Sequence, residues 1–327
     1  MTTIIREHGR GSILGALVGD AAGATLEFLG REPGPAEVDS AMAMTGGGCW
    51  GTAPGQVTDD GEMAICLMHA LAEADGFDVE RVAQWYLRWL DSPPFDCGYT
   101  TGTGLTGGRG RQAGSIHEGM WAAAQASMSS KANGSLMRIA PLGVWGTRLS
   151  EDELVMAACA DARLTHPNPT CQAAAAAYCA AIRHLVLHGS DAEGAFAAAD
   201  RVVAQLQCTE VAEWLGDARA NRTVGYSPQD GFVKYAFTHA FRHLLLETSY
   251  EDAIRETLAG GGDTDTNACI VGGLIGALCG ESGVPEPMRE AVLTCDTTIG
   301  QPRPGFLQAS GVLEELLEAM VSRESSA

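Results

Sequence analysis

The sequence predicts an all-α protein built as one compact multi-helix domain. Apolar residues recur at helical spacing in one segment after another, and the period-2 alternation typical of strands is hardly seen. Stretches at roughly 46–58, 92–112 and 218–230 lack a periodic pattern and are expected to be long loops. The domain is expected to span residues 11–322, between an N-terminal lead-in of residues 1–10 and a C-terminal tail of residues 323–327.

The first predicted helix runs from Gly11 to Phe28. Its glycines stand four residues apart, at Gly11, Gly15, Gly19 and Gly23. Glycine costs about 1 kcal/mol in a helix interior, so this stripe predicts that another backbone packs very closely against it. Asp20 and Glu27 lie seven residues apart on one face, and such a pair, if buried, needs hydrogen bonds or a metal ion.

A second predicted helix begins at Thr58-Asp59-Asp60, after a glycine-rich loop, and continues through Ala74. Asp59 and Glu62 have the spacing of a capping box, which is one interpretation. The other interpretation is an acidic helix N-terminus that binds a cation.

The same choice arises near the C-terminal end, at Asp263-Thr264-Asp265-Thr266. This segment follows three glycines and precedes an apolar helix from Ala268 to Cys279. The acids either cap that helix or present hard oxygen ligands suited to Mg²⁺ or Mn²⁺. Finding Thr beside Asp after glycines twice favours a metal site over two separate caps.

Periodic apolar patterns predict eight more helices. They are Val79–Asp91, Glu151–Arg163, Pro169–His188, Ala192–Gln207, Phe232–Glu247, Glu251–Ala259, Pro287–Leu293 and Val312–Val321.

Two polar segments between helices are candidates for binding. Asn133-Gly134-Ser135 precedes a predicted short helix within residues 136–142, where its side chains either cap the helix or help to present free N–H groups to a phosphate, with Arg138 close by. His166 lies in a loop before an alanine-rich helix, and a lone histidine there is more often a hydrogen-bonding residue than a catalyst. The G-x-G-x-x-G pattern at 102–107 follows no strand, so we interpret it as a loop.

Charge and cysteine content exclude several classes of protein. The 327 residues include 21 basic and 41 acidic side chains, a net charge of −20, which argues against a nucleic-acid partner. The ten cysteines form no Cys-x-x-Cys pair, and they are expected to be reduced residues of a cytoplasmic protein. No apolar run reaches bilayer length and no signal peptide is evident, so a membrane partner is not expected.

Several of these motifs recur together in one known family. They are Gly19-Asp20-Ala21 to Glu27-Phe28, Met44-Thr45-Gly46-Gly47-Gly48, Pro54-Gly55-Gln56-Val57-Thr58-Asp59-Asp60, Asn133-Gly134-Ser135-Leu136-Met137-Arg138, Thr165-His166 and Gly261-Gly262-Asp263-Thr264-Asp265-Thr266. With them in this order from about Gly11 to about Gly280, the chain resembles the ADP-ribosylglycohydrolase family of bacterial and related hydrolases. The nearest types are the dinitrogenase-reductase-activating glycohydrolases and the ADP-ribosylarginine hydrolases.

The resemblance implies an all-α fold, a site for two Mg²⁺ or Mn²⁺ ions, and removal of ADP-ribose from a modified protein, commonly from arginine. The implied metal ligands are Thr58, Asp59, Asp60, Asp263, Asp265 and Thr266. The implied proton-transferring carboxylates are Asp60, Glu27 or Asp96, and the residues alone leave the choice among them open. The implied substrate-binding residues are Asn133, Gly134, Ser135, Arg138, His166, Tyr99, Tyr226 and Phe232, of which Tyr226 or Phe232 would stack on adenine.

The chain departs from the family pattern at Tyr99, at Gly61 and at Pro167-Asn168-Pro169. These departures leave the metal ligands in place and make the acceptor the open part of the assignment. Two alternatives therefore stay open: hydrolysis of an O-linked or small-molecule ADP-ribose, and an immunity or binding role against an ADP-ribosylating toxin. The expected partners are an ADP-ribosylated protein and ADP-ribose, with an ADP-ribosyltransferase added under the immunity alternative.

Overall fold

The computed structural model describes residues 3–110, 114–227 and 229–322. Within these ranges the chain forms sixteen α-helices, several short 3-10 turns, and no strand beyond two isolated bridges, Gly47 with Thr52 and Ala132 with Phe232. The helices, in chain order, are α1 Thr3–Gly23, α2 Pro35–Met42, α3 Asp59–Ala72, α4 Val79–Leu90, α5 Tyr99–Thr106, α6 Ile116–Ala124, α7 Ala140–Trp145, α8 Glu151–Arg163, α9 Pro169–His188, α10 Ala192–Gln205, α11 Thr209–Arg219, α12 Val233–Leu245, α13 Tyr250–Ala259, α14 Thr264–Cys279, α15 Glu286–Leu293 and α16 Ala309–Ser322.

The centre of the fold is the antiparallel pair formed by α1 and α14. A methyl group added at Gly11, Gly15 or Gly19 would overlap the backbone of Gly276, Gly272 or Ala268, in that order. The predicted close approach of another backbone is therefore confirmed. Because the helices are antiparallel, the C-terminal end of α1 lies beside the N-terminal end of α14.

Other helices pack around this pair and bury it. Two buried tyrosine hydroxyls donate to helix carbonyls at the centre: Tyr178 of α9 to Ile270 at 2.7 Å, and Tyr250 of α13 to Gly15 at 2.6 Å. The buried apolar side chains form one continuous cluster, as expected for a single all-α domain. No helix in the described part of the chain is both long and apolar enough to cross a membrane.

The helices predicted from apolar periodicity are present, with ends that shift by a few residues. The largest shift is in α1, which begins at Thr3 and so includes most of the expected lead-in, and which ends at Gly23. The loop at 46–58 is confirmed, and the described part of 218–230 is a loop after α11 ends at Arg219. The expected tail at 323–327 and part of residues 92–112 lie outside the described residues.

Three predictions of local structure were wrong, and three helices were missed. Residues 92–112 are not one loop, because α5 lies within them; α5 is held by packing, since a methyl group at Gly104 would contact the Leu164 carbonyl oxygen at 2.6 Å. Helices α2, α6 and α11 were not predicted at all. Residues 133–138 form turns, and the helix that follows begins only at Ala140. Glu62 completes no capping box, because it accepts hydrogen bonds from Trp89 and Arg303 instead.

Candidate active site

The two acidic helix N-termini predicted from the sequence meet in the structure. Thr58 and Asp263 occupy the N-cap positions of α3 and α14, yet neither side chain makes a capping hydrogen bond. Their neighbours converge instead: the Thr58 hydroxyl lies 3.2 Å from Asp60 Oδ2 and 3.4 Å from Asp265 Oδ2, and the Thr266 hydroxyl lies 3.4 Å from Asp60 Oδ2. The interpretation of these residues as simple caps is therefore wrong.

Asp20 of α1 supplies the cap that α3 lacks. Its carboxylate accepts from the Thr58 N–H at 3.0 Å, the Thr58 hydroxyl at 2.8 Å and the Gly61 N–H at 2.8 Å. A side chain at Gly61 would lie 2.7 Å from Asp20 Oδ2 and from the Val57 Cβ, which explains the glycine found there. Because Asp20 caps the helix, the acids of α3 are left to point at the site.

The acidic centre is defined here as Asp20, Asp59, Asp60, Asp263 and Asp265 with the hydroxyls of Thr58 and Thr266. Burial raises the pKa of Asp20 to about 7 and the pKa values of Asp59, Asp60 and Asp265 well above their usual range, and neighbouring carboxylates raise the last three further. Asp60 Oδ1 is buried and makes no hydrogen bond to the described residues. Clustered, buried carboxylates of this kind require a cation or protons.

The donor set fits a hard divalent cation. Two groups of three carboxylates have ligand oxygens within 4.8 Å of one another, Asp20 with Asp60 and Asp265, and Glu27 with Asp96 and Asp265. Asp265 belongs to both groups. Carboxylate and hydroxyl oxygens without histidine or cysteine are the ligands that Mg²⁺ and Mn²⁺ prefer.

Glu27 and Asp96 lie at the edge of the acidic centre. Trp50 Nε1 donates to Glu27 Oε2 at 2.5 Å, and Asp96 shares a hydrogen bond with Asp59. Burial, reinforced by Asp96, raises the pKa of Glu27 to about 8, and burial together with Asp263 raises the pKa of Asp96 to about 6. Two carboxyl groups in this position can therefore hold or release a proton near neutral pH.

A cavity of about 850 Å³ opens above the acidic centre. It brings together most of the residues expected from the sequence. Those that line it are Glu27, Asp59, Asp96, Tyr99, Asn133, Gly134, His166, Tyr226, Asp263, Asp265 and Thr266. Thr58 and Asp60 lie beneath its floor, both fully buried.

The turn at Asn133 forms one wall and is tied to the acidic centre. Asn133 Nδ2 donates to Asp263 Oδ2 at 2.8 Å, and the Asn133 carbonyl accepts from the N–H groups of Leu136 and Met137. This segment is a turn rather than a helix N-terminus, so a helix dipole is not what it offers to a ligand. Ser135 is fully buried behind the turn.

Arg138 does not reach the cavity, contrary to the expectation that it lies beside a bound phosphate. It is fully buried, and its guanidinium donates to Asp161 Oδ1 at 3.1 Å, to the Asp161 carbonyl at 3.0 Å and to the Thr165 hydroxyl at 2.9 Å. The Thr165 hydroxyl lies 2.8 Å from His166 Nδ1, and when it donates there the ring hydrogen is on Nε2. His166 Nε2 is then an N–H that has no partner among the described residues.

The two aromatic candidates for stacking differ in position. Tyr226 lines the cavity and stacks on His239 with ring centroids 4.4 Å apart. Phe232 instead packs edge-on against Trp214, with centroids 5.7 Å apart, and lies outside the cavity wall. Tyr99 stands at the rim, 86% exposed.

Sequence reasoning missed two residues that shape this site and the role of a third. Asp20 carried a signal, its spacing from Glu27, but its role as the cap of α3 depends on a contact across 38 residues. Trp50 and Asp161 carried no signal, because a tryptophan in a glycine-rich loop and an aspartate inside a helix are common in any protein.

Comparison with known proteins assigns the chain to a family. The sequence profile of the ADP-ribosylglycohydrolase family matches residues 1–324. The chain belongs to this family. It is accordingly a hydrolase of the ADP-ribosylglycohydrolase type, and the resemblance seen in its motifs is confirmed.

Individual relatives cover most of the chain. A protein of Acanthamoeba polyphaga mimivirus that carries an ADP-ribosyl glycohydrolase name is 31% identical, with 91% of this chain and 94% of the viral one covered. The ADP-ribosyl-[dinitrogen reductase] glycohydrolase of Rhodospirillum rubrum is 29% identical, with 86% and 88% covered. The ADP-ribosylarginine hydrolase Tri1 of Pseudomonas putida (strain GB-1) is 29% identical, with 88% and 74% covered.

A solved structure confirms the fold. A chain of an ADP-ribosylglycohydrolase-related protein complex superposes with a TM-score of 0.70 at 25% identity, covering 98% of both chains. The all-α architecture predicted from the sequence is thus that of a family relative.

Proposed function

We propose that this protein hydrolyses the N-glycosidic bond between ADP-ribose and an arginine side chain of a modified protein, with two Mg²⁺ or Mn²⁺ ions bound at the acidic centre. The observation that carries the proposal is the meeting of Thr58, Asp60, Asp265 and Thr266 at the floor of the cavity. Two relatives whose names specify ADP-ribosylarginine or ADP-ribosyl-dinitrogen reductase support the choice of reaction.

Two adjacent carboxylate groups that share Asp265 support a site for two ions rather than one. Asp60 Oδ1, which is buried and has no partner in the described part of the chain, is a further ligand atom that a cation would satisfy. When bound, the ions would supply positive charge for ribose hydroxyls and lower the pKa of a water molecule.

In this proposal one of Glu27 and Asp96 transfers the proton, and the other binds the second ion together with Asp265. Both line the cavity, whereas Asp60 is 1% exposed and lies below its floor, which suits a metal ligand. Trp50 fixes Glu27 through its indole N–H and so leaves the second carboxyl oxygen to face the cavity. A carboxyl group with a pKa near neutrality is suited to general acid or base catalysis as positive charge develops on the sugar carbon.

The ADP-ribose would lie between the Asn133 turn and Tyr226. His166 is neutral, since burial and the Arg138 charge lower its pKa to about 3, so its Nε2–H is a neutral donor toward diphosphate or ribose oxygens. Arg138 orients His166 through Thr165 and is a positioning residue. Tyr226 presents the aromatic surface for adenine.

The acceptor side suits a cationic group. Phe28, Trp50 and Phe95 form an aromatic rim, with ring centroids 6.1 Å and 5.9 Å apart, next to Glu27 and Asp96. Aromatic faces beside carboxylates favour a guanidinium over a neutral hydroxyl. Phe28 is 71% exposed and has a φ of 57°, a strained backbone of the kind often found at functional sites.

Release of ADP-ribose from an arginine-modified protein, in the presence of Mg²⁺ or Mn²⁺, tests this function. Wild type is expected to be active and Asp265→Asn to lose at least about 100-fold in rate, because Asp265 belongs to both carboxylate groups. Asp200→Asn, an exposed aspartate of α10, is the matched control and should keep full activity. Equal rates for wild type and Asp265→Asn would overturn the proposal.

Comparing substrates with different ADP-ribose linkages tests which bond the protein hydrolyses. Serine-linked ADP-ribose and a small ADP-ribosyl metabolite should react more slowly than the arginine conjugate. A reversed order would replace arginine by an O-linked or small-molecule substrate, and an inactive wild type that still binds the modified protein would indicate a binding role.

A further inference from the structure

A second group of possible metal ligands lies away from the acidic centre, between α12 and α13. His239 and His243 are one helical turn apart on α12, and Glu256 faces them from α13. One ligand atom from each residue lies within 4.8 Å of the other two. The reaction proposed above uses none of these residues.

The two histidines are arranged as metal-binding histidines usually are. His239 Nε2 is 2.8 Å from the Val224 carbonyl, to which it donates, and this fixes Nδ1 as the nitrogen with a free lone pair. His243 Nδ1 is 3.2 Å from the Thr248 hydroxyl, and the tautomer that donates to this hydroxyl has Nε2 in the same role. Metal-bound histidines characteristically use one ring nitrogen for such a hydrogen bond and the other for the ion.

Both lone-pair nitrogens are buried and unsatisfied among the described residues. His239 is 3% exposed and His243 is fully buried, and neither His239 Nδ1 nor His243 Nε2 has a hydrogen-bond partner. Burial lowers the pKa of both rings, that of His243 to about 4, so the histidines are neutral and can bind a cation at pH 7. Two unsatisfied acceptors buried side by side are costly unless something fills the space between them.

We propose that His239, His243 and Glu256 form a binding site for a transition-metal dication of the Zn²⁺ class. Imidazole nitrogen with one carboxylate oxygen is a donor set that suits Zn²⁺ rather than Mg²⁺ or Mn²⁺. Zn²⁺ has ligand bonds of about 2.0–2.2 Å, and Glu256 is the exposed member of the group that can adjust its position to them. The exposed Glu256 also gives the ion a path from solvent.

Arg242 is expected to limit the affinity of this site for a metal ion. Its guanidinium donates to Glu256 Oε1 at 2.7 Å and to Asn221 Oδ1 at 2.7 Å. The positive charge opposes a dication, but the same hydrogen bond orients the carboxylate and leaves the second oxygen to the metal. We therefore expect reversible rather than permanent binding.

The site would act on the cavity through Tyr226. The Tyr226 ring stacks on His239 and also packs against Gly260, where an added methyl group would overlap it. Gly260 begins the glycine turn that leads to Asp263. An ion that fixes His239 thus stiffens the wall segment 224–227, which carries Tyr226 and lies next to the acidic centre.

Zinc content of the full-length protein tests the site. The protein is dialysed to equilibrium against Zn²⁺ in excess Mg²⁺, and bound zinc per chain is measured in wild type and in Asp60→Asn/Asp265→Asn, which disables the acidic centre. One zinc per chain is expected in both. His243→Gln and Glu256→Gln should weaken binding by more than about tenfold, whereas Glu251→Gln, an exposed glutamate of the same helix, should not.

Zinc-edge X-ray absorption identifies the ligands without any substitution. The proposal requires imidazole nitrogen among the nearest neighbours at about 2.0–2.1 Å. An oxygen-only shell, or unchanged zinc content in Glu256→Gln, would overturn it, and this holds even if His243→Gln fails to fold. Amide exchange in residues 222–227 should slow with Zn²⁺ in wild type and not in Glu256→Gln.

Discussion

Asn133 Nδ2 donates a hydrogen bond of 2.8 Å to Asp263 Oδ2, and so joins two segments that lie 130 residues apart in the chain. One is the turn expected to hold the diphosphate, and the other begins the helix expected to bind metal. The bond holds Asp263 in place by an amide, without placing a positive charge next to the metal ligands.

Replacing Asn133 by Ala should impair both ion and nucleotide binding. Asp263 would lose its donor, and the turn would lose its link to the acidic centre, so Mn²⁺ affinity measured by calorimetry is expected to fall by about tenfold. Gln205→Ala, an exposed amide on α10, is the control and should bind as wild type does. Unchanged Mn²⁺ and ADP-ribose affinities in Asn133→Ala would show that the bond has no functional role.

Asp20→Ala should destabilise the protein by about 1–3 kcal/mol in urea unfolding with a chelator present. The Thr58 and Gly61 N–H groups would lose their common acceptor at the buried start of α3. Loss of one negative charge offsets this only in part, because the pKa of Asp20 is already raised to about 7. Asp91→Ala, whose exposed ion pair with Arg109 contributes little, should change stability by less than about 1 kcal/mol. Equal effects of the two variants would contradict the capping role.

Gly19→Ala should destabilise the fold by about 3 kcal/mol or more, since the added methyl group meets the backbone of Ala268 and forces α1 from α14. Gly216→Ala is the matched control. It lies exposed on α11, and beyond the adjacent backbone of α11 no described atom lies within 4 Å of the added carbon, so it should stabilise the protein by about 0.5–1 kcal/mol. Thermal unfolding of both variants measures the difference. A Gly19→Ala variant as stable as wild type would show that α1 and α14 can move apart at little cost in free energy.

Without a divalent cation, stability should fall as the pH rises. Asp20, Asp96 and Glu27 have pKa values raised to about 7, 6 and 8, so the folded state binds more protons than the unfolded chain. The free energy of unfolding therefore decreases between about pH 4 and about pH 8. Mg²⁺ or Mn²⁺ competes with these protons, so its stabilising effect should grow over the same window.

Melting temperatures in chelator and in metal, at about pH 5 and about pH 8, check this dependence. In Asp60→Asn/Asp265→Asn the difference between chelator and metal should largely disappear. A wild-type melting temperature in chelator that rises toward pH 8 would contradict the prediction.

Arg138→Lys should cost roughly 3 kcal/mol of stability, because lysine cannot reproduce the several hydrogen bonds that join Arg138 to Asp161 and Thr165 in a fully buried place. Arg201→Lys, in an exposed pair with Glu151, should change stability by less than about 0.5 kcal/mol. Urea unfolding compares the two. A large loss of ADP-ribose affinity at unchanged stability would instead place Arg138 in contact with substrate.

The sequence pattern alone predicted the long helices, because a repeat of apolar residues with a period of 3.6 can be seen within each segment. It failed for α2, α5, α6 and α11, which have 8, 8, 9 and 11 residues and depend on neighbouring segments for stability. In the site, the sequence pattern identified the segments Thr58-Asp59-Asp60 and Asp263-Thr264-Asp265-Thr266, whose residue types already suggest a cation. It misjudged Arg138, since a buried arginine and a phosphate-binding one have the same local sequence.

The sequence by itself determined the family, the helical architecture and the close packing at the glycine stripe. Motif order, apolar periodicity and side-chain size can each be read directly from the order of residues. Only the tertiary structure decided that Asp20 caps α3, that Trp50 holds Glu27, and that His239 and His243 keep unsatisfied nitrogens. Those outcomes depend on which distant groups meet in a buried place. There, a hydrogen bond or its absence carries a large free energy that no local pattern encodes.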